Sequence, residues 1–284
     1  MPSLREIRRR IASTKDIQKI TKAMQTVAGV RLRRAQNRLF AARPYARKLD
    51  EMMRHLSAQT ADEHHPLMTP RDVKASALIV VTADRGFCGG FNSNVVRGAM
   101  RTVRESTPEP GLICIGRKGS DTLSRQRVEI LSSHTNVFQA LDYAHAGEIA
   151  DQVTRLFNSG KIDRVDMLYN EFKSAGSQSL VTEQLLPVPP MAVEDDPGFT
   201  GYVYEPSQPQ LLNDLVPQHI RFQLWRILLE SNTAEEAARM LAMDNATRNA
   251  NDLIDDLTLT ANKIRQETIT SELMDIVGGA EALK

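Results

Sequence analysis

Gly111 to Lys118 reads GLICIGRK, close to the glycine-bounded loop that wraps phosphate groups in backbone N–H donors. That chemistry needs a lysine on the phosphates and a following hydroxyl on magnesium. Arg117 stands at the lysine position and Lys118 is followed by Gly119, so the loop is not expected to hold a nucleotide. Gly86, Gly89 and Gly90 lie between a strand-like run and a helix-like run, the setting of a dinucleotide turn. Their spacing is not G-x-G-x-x-G, and tight geometry alone explains them. Cys88 lies in the same turn with no histidine near it in sequence, which suits a small buried apolar group better than a nucleophile. His64 and His65 precede Pro66 in a polar connector without the cysteines or carboxylates of a metal set. No catalytic, cofactor-binding or metal-ligating residue is therefore assigned.

The elements that carry these fragments read as a small α/β domain. Ala77 to Thr82 (ALIVVT) is a buried-strand run, and the glycine turn leads into a helix from Asn92 to Glu105. Leu112 to Ile115 is a second strand and Lys118 to Arg127 a short helix. Tyr143 to Asn158 is another helix, Val165 to Tyr169 a third strand and Leu180 to Leu186 a further one. The alternation implies a mainly parallel sheet with flanking helices. A Pro-rich acidic stretch from Pro187 to Pro209 is expected to carry a last strand around Phe199 to Tyr204.

Both ends of the chain are helical. Ala28, Leu32, Ala35, Leu39, Ala42, Ala46, Leu49, Met53 and Leu56 recur at alternating steps of four and three, the spacing of a two-stranded coiled-coil seam. Leu4, Ile7 and Ile11, then Ile17, Ile20, Met24 and Val27, are expected to continue it upstream after one shift of phase. Pro44 predicts a kink or a gap in the hydrogen-bond ladder. Near the C-terminus Ala250, Leu253, Leu257, Ala261 and Ile264 form one stripe and Ile269, Leu273, Ile276 and Ala280 another, and the first helix is the expected antiparallel partner. Helices over Ser3 to Leu56 and Leu211 to Leu283 would be about 80 Å and 105 Å long at the usual rise, more than a compact domain of this size encloses. Something other than this chain must surround them. The expected domains are a long N-terminal helix over 1–58, a connector over 59–75, an α/β domain over 76–206 and a long C-terminal helix over 207–284.

Charge is split along the chain. The formal net charge is only +1, yet residues 5 to 54 carry fifteen lysines and arginines against Glu6, Asp16, Asp50 and Glu51. The last segment leans acidic through Asp252, Asp255, Asp256, Glu267, Glu272 and Asp275, so the two ends should attract each other and leave positive charge for an acidic partner. No apolar run approaches the roughly 18 residues of a membrane span, and two cysteines exclude a dense disulfide framework. The stripe runs on without a cleavage-like break, which argues against a transit peptide. The basic charges surround the helix with no aromatic before Phe40, which argues against nucleic-acid binding. The residues alone leave several readings open: a long coiled coil enclosed by other chains, an ordinary helical bundle, a stand-alone enzyme using the glycine turn, and a coiled-coil adaptor or nucleic-acid binder.

Five ordered blocks carry a resemblance. REIRRRIASTKDIQKITKAMQTVAG (Arg5 to Gly29), TADRGFCGGFNSN (Thr82 to Asn94), YEP (Tyr204 to Pro206), AEEAARMLAMDNATRNANDLIDDLTLTANKIRQ (Ala234 to Gln266) and ITSELMDIVGGAEAL (Ile269 to Leu283) span the chain. In that order they resemble the gamma subunit of F-type ATP synthases. The resemblance implies an α+β chain in which a long antiparallel coiled coil of N- and C-terminal helices joins a Rossmann-like α/β domain. It implies a rotor shaft without chemistry or cofactor of its own, carrying torque between a membrane c-ring and the catalytic beta subunits, with proton or sodium transport coupled to ATP turnover.

The implied partners are the alpha and beta subunits, the epsilon subunit and the c-ring. The implied location is peripheral, on the cytoplasmic face of a bacterial inner membrane. Position by position, the resemblance places Met24, with Lys19 and Lys22, against an acidic lever segment of beta. It places Arg239 and Gln266 in a catch against a beta loop, Thr270, Glu272 and Asp275 in the same contact zone, and Tyr202 and Glu205 near the membrane ring and epsilon. Gly29 and Val30 depart from the small alanine-like residues of the family, and Ala261 from its aromatic. The regulatory cysteine insertion of the chloroplast form is missing, so thiol control is not expected.

Overall fold

The computed structural model describes residues 3–59, 65–189, 205 and 207–281. Its elements are α1 (Leu4–Gln59), β1 (Ser76–Val81), α2 (Phe91–Glu105), β2 (Gly111–Ile115), α3 (Arg117–Leu123), β3 (Ile130–His134), α4 (Tyr143–Asn158), β4 (Arg164–Ser174), β5 (Ser177–Leu186) and α5 (Gln208–Glu281). By internal contacts they form two compact units, Val30–Ala238 and a second made of Met1–Gly29 with Arg239–Lys284. The expected strand at Phe199 to Tyr204 lies outside the described residues.

In the larger unit the sheet runs β3-β2-β1-β4-β5. The first four strands are parallel and β5 returns antiparallel beside β4, closing a hairpin at Ser174 and Ser177. β1 and β2 are buried at every residue but Ser76, as central parallel strands covered on both faces must be. On one face Leu78 and Val80 of β1 pack with Val95, Ala99 and Val103 of α2 and with Leu112, Cys114, Leu123 and Leu168. Right-handed crossovers then require α4, which links the far edge back to β4, to cross the other face. Its apolar residues Ala146, Ile149, Ala150, Val153 and Phe157 recur at one helical face and are buried. Asp142 caps its N-terminus, accepting from the Ala144 amide at 2.9 Å.

β3 was not expected from the sequence. EILSSH offers only two apolar residues and lies half-buried at the sheet edge, so neither alternation nor a continuous apolar run announces it. α3 stops at Leu123 rather than Arg127. α1 continues helical through Pro44. Of its expected seam, Ala28, Leu32, Ala35, Leu39, Leu49, Met53 and Leu56 are buried, whereas Ala42 and Ala46 are half-buried. The part of α5 in this unit is buried on several faces, through Val216, Ile220, Leu224, Ile227, Leu228, Leu229, Ala234 and Ala237, and serves as a core helix.

In the smaller unit the ends of α1 and α5 pair antiparallel. Thr247 Oγ1 lies 2.8 Å from Thr21 Oγ1, Gln25 Nε2 donates to Asp244 Oδ1 at 2.7 Å and Gln18 Nε2 donates to Asn251 Oδ1. Partner numbers fall along α5 as they rise along α1. The seam is Leu4, Ile7, Ile11, Thr14, Gln18, Thr21, Gln25 and Ala28 against Met243, Thr247, Ala250, Ile254, Leu257, Ala261 and Ile264, all buried or half-buried. This corrects two expectations. Ile17, Ile20 and Val27 are 52%, 59% and 52% exposed, and Leu253 is exposed while Ile254 takes its place. The reason is geometric. Ile7 and Ala28 lie three heptads apart, so a continuous helix that buries both must turn Thr14 and Thr21 inward as well. A methyl on Gly29 would meet Met240 Sδ at 3.6 Å, ordinary contact, so packing does not require glycine there.

Candidate functional site

The loop at Gly116 has the outline of a phosphate cradle but is already filled. Gly116 N donates to His134 O at 2.8 Å, Arg117 N to Asp84 Oδ1 at 3.0 Å, Lys118 N to Ala83 O at 3.0 Å and Gly119 N to Thr82 Oγ1 at 2.8 Å. Each amide that would face a phosphate is thus committed to this chain. Gly116 itself has φ +92°, and a Cβ there would fall 2.0 Å from the O of Thr82, the residue that follows β1, so glycine is required by that close approach.

The glycine turn after β1 is equally occupied. The Asp84 carboxylate accepts from the Arg117, Asn136 and Phe138 amides at 3.0, 2.7 and 3.0 Å, binding together the loops that follow β1, β2 and β3. The Asn92 amide oxygen accepts from Ala83 N at 2.9 Å, and its Nδ2 lies 3.1 Å from Cys88 Sγ. Cys88 is buried, as expected of a small apolar group. His65 Nδ1 accepts from the Leu67 amide at 3.1 Å, a local turn contact, and burial lowers its pKa. Among the described residues no cluster of metal-ligating side chains occurs.

Chemistry that needs a partner lies instead on the helical pair. Ile17, Ile20 and Val27 form an exposed apolar line on α1, and Lys19 and Lys22 are exposed among them. Lys19 pairs with Asp16 at 3.3 Å and Lys22 donates to Gln25 Oε1 at 3.0 Å. Met24 is half-buried. The cross-helix bonds here are made by amides and hydroxyls rather than by the expected ion pairs, while Lys19 and Lys263 pair within their own helices.

Continued down the observed register, Leu4 comes opposite Ile264, and α5 from Arg265 onward meets no described residue of α1. There Ile269, Leu273, Met274, Ile276 and Val277 are 48–68% exposed, which corrects the expectation of a second seam stripe at Ile269, Leu273 and Ile276. The side chain of Ala280 lies outside the described residues. Gln266, Thr270 and Glu272 are exposed in the same stretch, with Thr270 Oγ1 donating to Gln266 O at 2.9 Å. Asp275 is in the helix, but its side chain lies outside the described residues.

Arg239 is buried, 6% exposed, at the other end of the paired segment. About 40 Å of helix separates it from Gln266, so the structure does not bring these two together. Glu205 is exposed, and Tyr202 lies outside the described residues. The outward apolar line was missed in the sequence. The signal that could have found it is the heptad set by Ile7 and Ala28, which leaves Ile17, Ile20 and Val27 off the seam.

The family described as ATP synthase matches residues 3–283. The ATP synthase gamma chain of Chloroherpeton thalassium is 44% identical over 302 residues, covering 100% of this chain and 99% of that protein. That of Chlorobaculum tepidum is 45% identical over 291 residues, covering 100% of both. A chain of the Tetrahymena thermophila mitochondrial ATP synthase central stalk and c-ring superposes with TM-score 0.62 at 28% identity, covering 80% of this chain and 99% of that one. A chain of the Euglena gracilis mitochondrial ATP synthase reaches TM-score 0.68 at 21% identity, covering 99% and 94%, a likeness of fold.

Proposed function

Because the chain belongs to the ATP synthase gamma chain family, it is the central stalk of an F-type ATP synthase, and we propose that it works there as a shaft with no chemistry of its own. One observation carries this reading: the end of α5 exposes Ile269, Leu273, Met274, Ile276 and Val277 beyond the last opposing residue of α1. Large apolar side chains gathered on one unpartnered helix end mark a contact surface, and a collar of other subunits would cover them. The committed amides around Gly116 support the non-catalytic part, since a phosphate would have to displace four internal hydrogen bonds there.

On this reading the alpha and beta subunits form the collar. Met24, Lys19 and Lys22 meet an acidic segment of beta. Arg239, Gln266, Thr270, Glu272 and Asp275 lie in further beta contacts, while Tyr202 and Glu205 face the epsilon subunit and the c-ring. No described helix is long and apolar enough to cross a membrane, consistent with a peripheral place beside the membrane sector. The cytoplasmic face of a bacterial inner membrane is the proposed location. The test measures phosphate release by this chain, by alpha and beta subunits, and by the assembled mixture. The chain alone should release none, and the mixture should exceed alpha and beta alone. Magnesium-dependent turnover by the chain alone that vanishes in Lys118→Ala would overturn the shaft reading, as would an assembled mixture without stimulation.

A further inference from the structure

Within the larger unit, α5 carries one polar stripe where a core helix would ordinarily be apolar. His219, Gln223, Arg226 and Glu230 recur at steps of four, three and four, so they share a face, while Ile220, Leu224, Ile227 and Leu228 around them are buried apolar side chains. Three of the four bond outward to a different element or set of elements. Gln223 Nε2 donates to Asp50 Oδ1 of α1 at 3.2 Å. Arg226 donates through Nε to Gln223 Oε1 at 2.9 Å, through Nη1 to the Tyr169 hydroxyl of β4 at 3.0 Å and through Nη2 to Glu183 of β5. Tyr169 in turn donates to Glu183 Oε1 at 2.8 Å. Glu230 Oε2 accepts from the Phe172 amide of β4 at 3.0 Å. His219 Nδ1 stands 3.6 Å from Asp50 Oδ1, beyond hydrogen-bond distance.

Burying such groups costs desolvation, and apolar residues of similar volume often stabilise a site as well or better. What apolar contacts do not supply is direction. They are non-directional, so a smooth helix can turn in its socket with little loss, whereas a hydrogen bond weakens steeply as its angle opens. A guanidinium fork that ties α5 to β4 and β5 resists rotation about the helix axis because turning α5 bends both outward bonds at once, while the third bond, to Gln223, holds the fork in place on α5.

We propose that this stripe is a key that locks α5 against turning within the α/β unit, with Arg226 as its positioning residue. The proposal rests on the stalk reading above, in which torque applied to the α/β unit must leave along α5. Without the key, part of each rotation is lost as twist in the socket instead of reaching the paired helices.

The test uses the assembled membrane complex with Tyr169→Phe, Glu183→Met and Arg226→Met combined, which removes the fork together with both of its partners on the sheet and leaves neither charge of the Arg226–Glu183 pair without the other. Ions pumped per ATP hydrolysed should fall at least about threefold while hydrolysis itself stays within about twofold of wild type. Arg226→Lys, which keeps charge but loses the fork, should give a smaller fall in the same ratio. Arg101→Ala on the outer face of α2 is the control and should match wild type. An unchanged pumping ratio in either assembled variant overturns the lock, and so does failure of both to assemble, which would make the network a folding requirement only. A wild-type complex that neither stimulates hydrolysis nor pumps ions would instead undo the stalk reading itself.

Discussion

At the scale of single residues, burial decides which titratable groups matter. His219 is 4% exposed, and burial, reinforced by the nearby Arg226 charge, lowers its pKa from 6.5 to about 4. A lowered pKa means the unfolded chain binds the proton first. Its contribution to stability is therefore complete above pH 6.5 and is lost as pH falls towards 4, a loss of about 3 kcal/mol. Asp50 and Glu230 oppose it: burial raises both, so their contribution grows as pH falls. His219→Gln should flatten the decline in unfolding free energy between pH 6.5 and 4, measured by denaturant titration at several pH values. An unaltered slope would mean that His219 is not held neutral. Buried Cys88 was legible in the sequence as an inert thiol, because it sits in a glycine-rich turn with no histidine beside it, and burial raises the Cys114 thiol to about 11.

At the scale of elements, the seam of the smaller unit is partly polar. Thr14, Gln18, Thr21 and Gln25 occupy positions that apolar residues would fill in a stronger coiled coil, and the bonds of the last three to Asn251, Thr247 and Asp244 fix register at some cost in stability. Neighbouring residues separate the observed seam from the expected one. Ile254→Ala should destabilise the full chain by about 1 to 3 kcal/mol, less than a fully buried site because Ile254 is half-buried. Leu253→Ala, at an exposed position, should stay within about 0.5 kcal/mol. Thermal or denaturant unfolding of both variants checks this, and the reverse order would restore the stripe read from the sequence.

At the scale of the whole molecule, the apolar end of α5 should matter to the complex and not to the chain. Leu273 is 57% exposed, so Leu273→Asp should change the chain's own stability by no more than about 0.5 kcal/mol. The same substitution puts a charge where the collar would bury an apolar group, a cost of several kcal/mol when unpaired. Stimulation of hydrolysis by alpha and beta subunits should therefore fall well below wild type while the melting temperature of the isolated chain is unchanged. Full stimulation by Leu273→Asp would show that the end of α5 is not enclosed.

The sequence by itself determined the helical ends, the parallel core strands, the departure of GLICIGRK from a phosphate-loop motif and, through five ordered blocks, the family. These are legible because each rests on local spacing: period in the helices, continuous apolar runs in β1 and β2, and the wrong residue at Arg117. Only the tertiary structure decided which face of each terminal helix turns inward, since Ile17 and Thr21 compete for the seam and the choice belongs to the register of two segments far apart in sequence. It also decided the edge strand β3, whose weak pattern is stabilised by pairing with β2, and the polar stripe of α5. His219, Gln223, Arg226 and Glu230 share a face by their spacing alone, but they become a lock only because Asp50, Tyr169, Phe172 and Glu183 are folded against them.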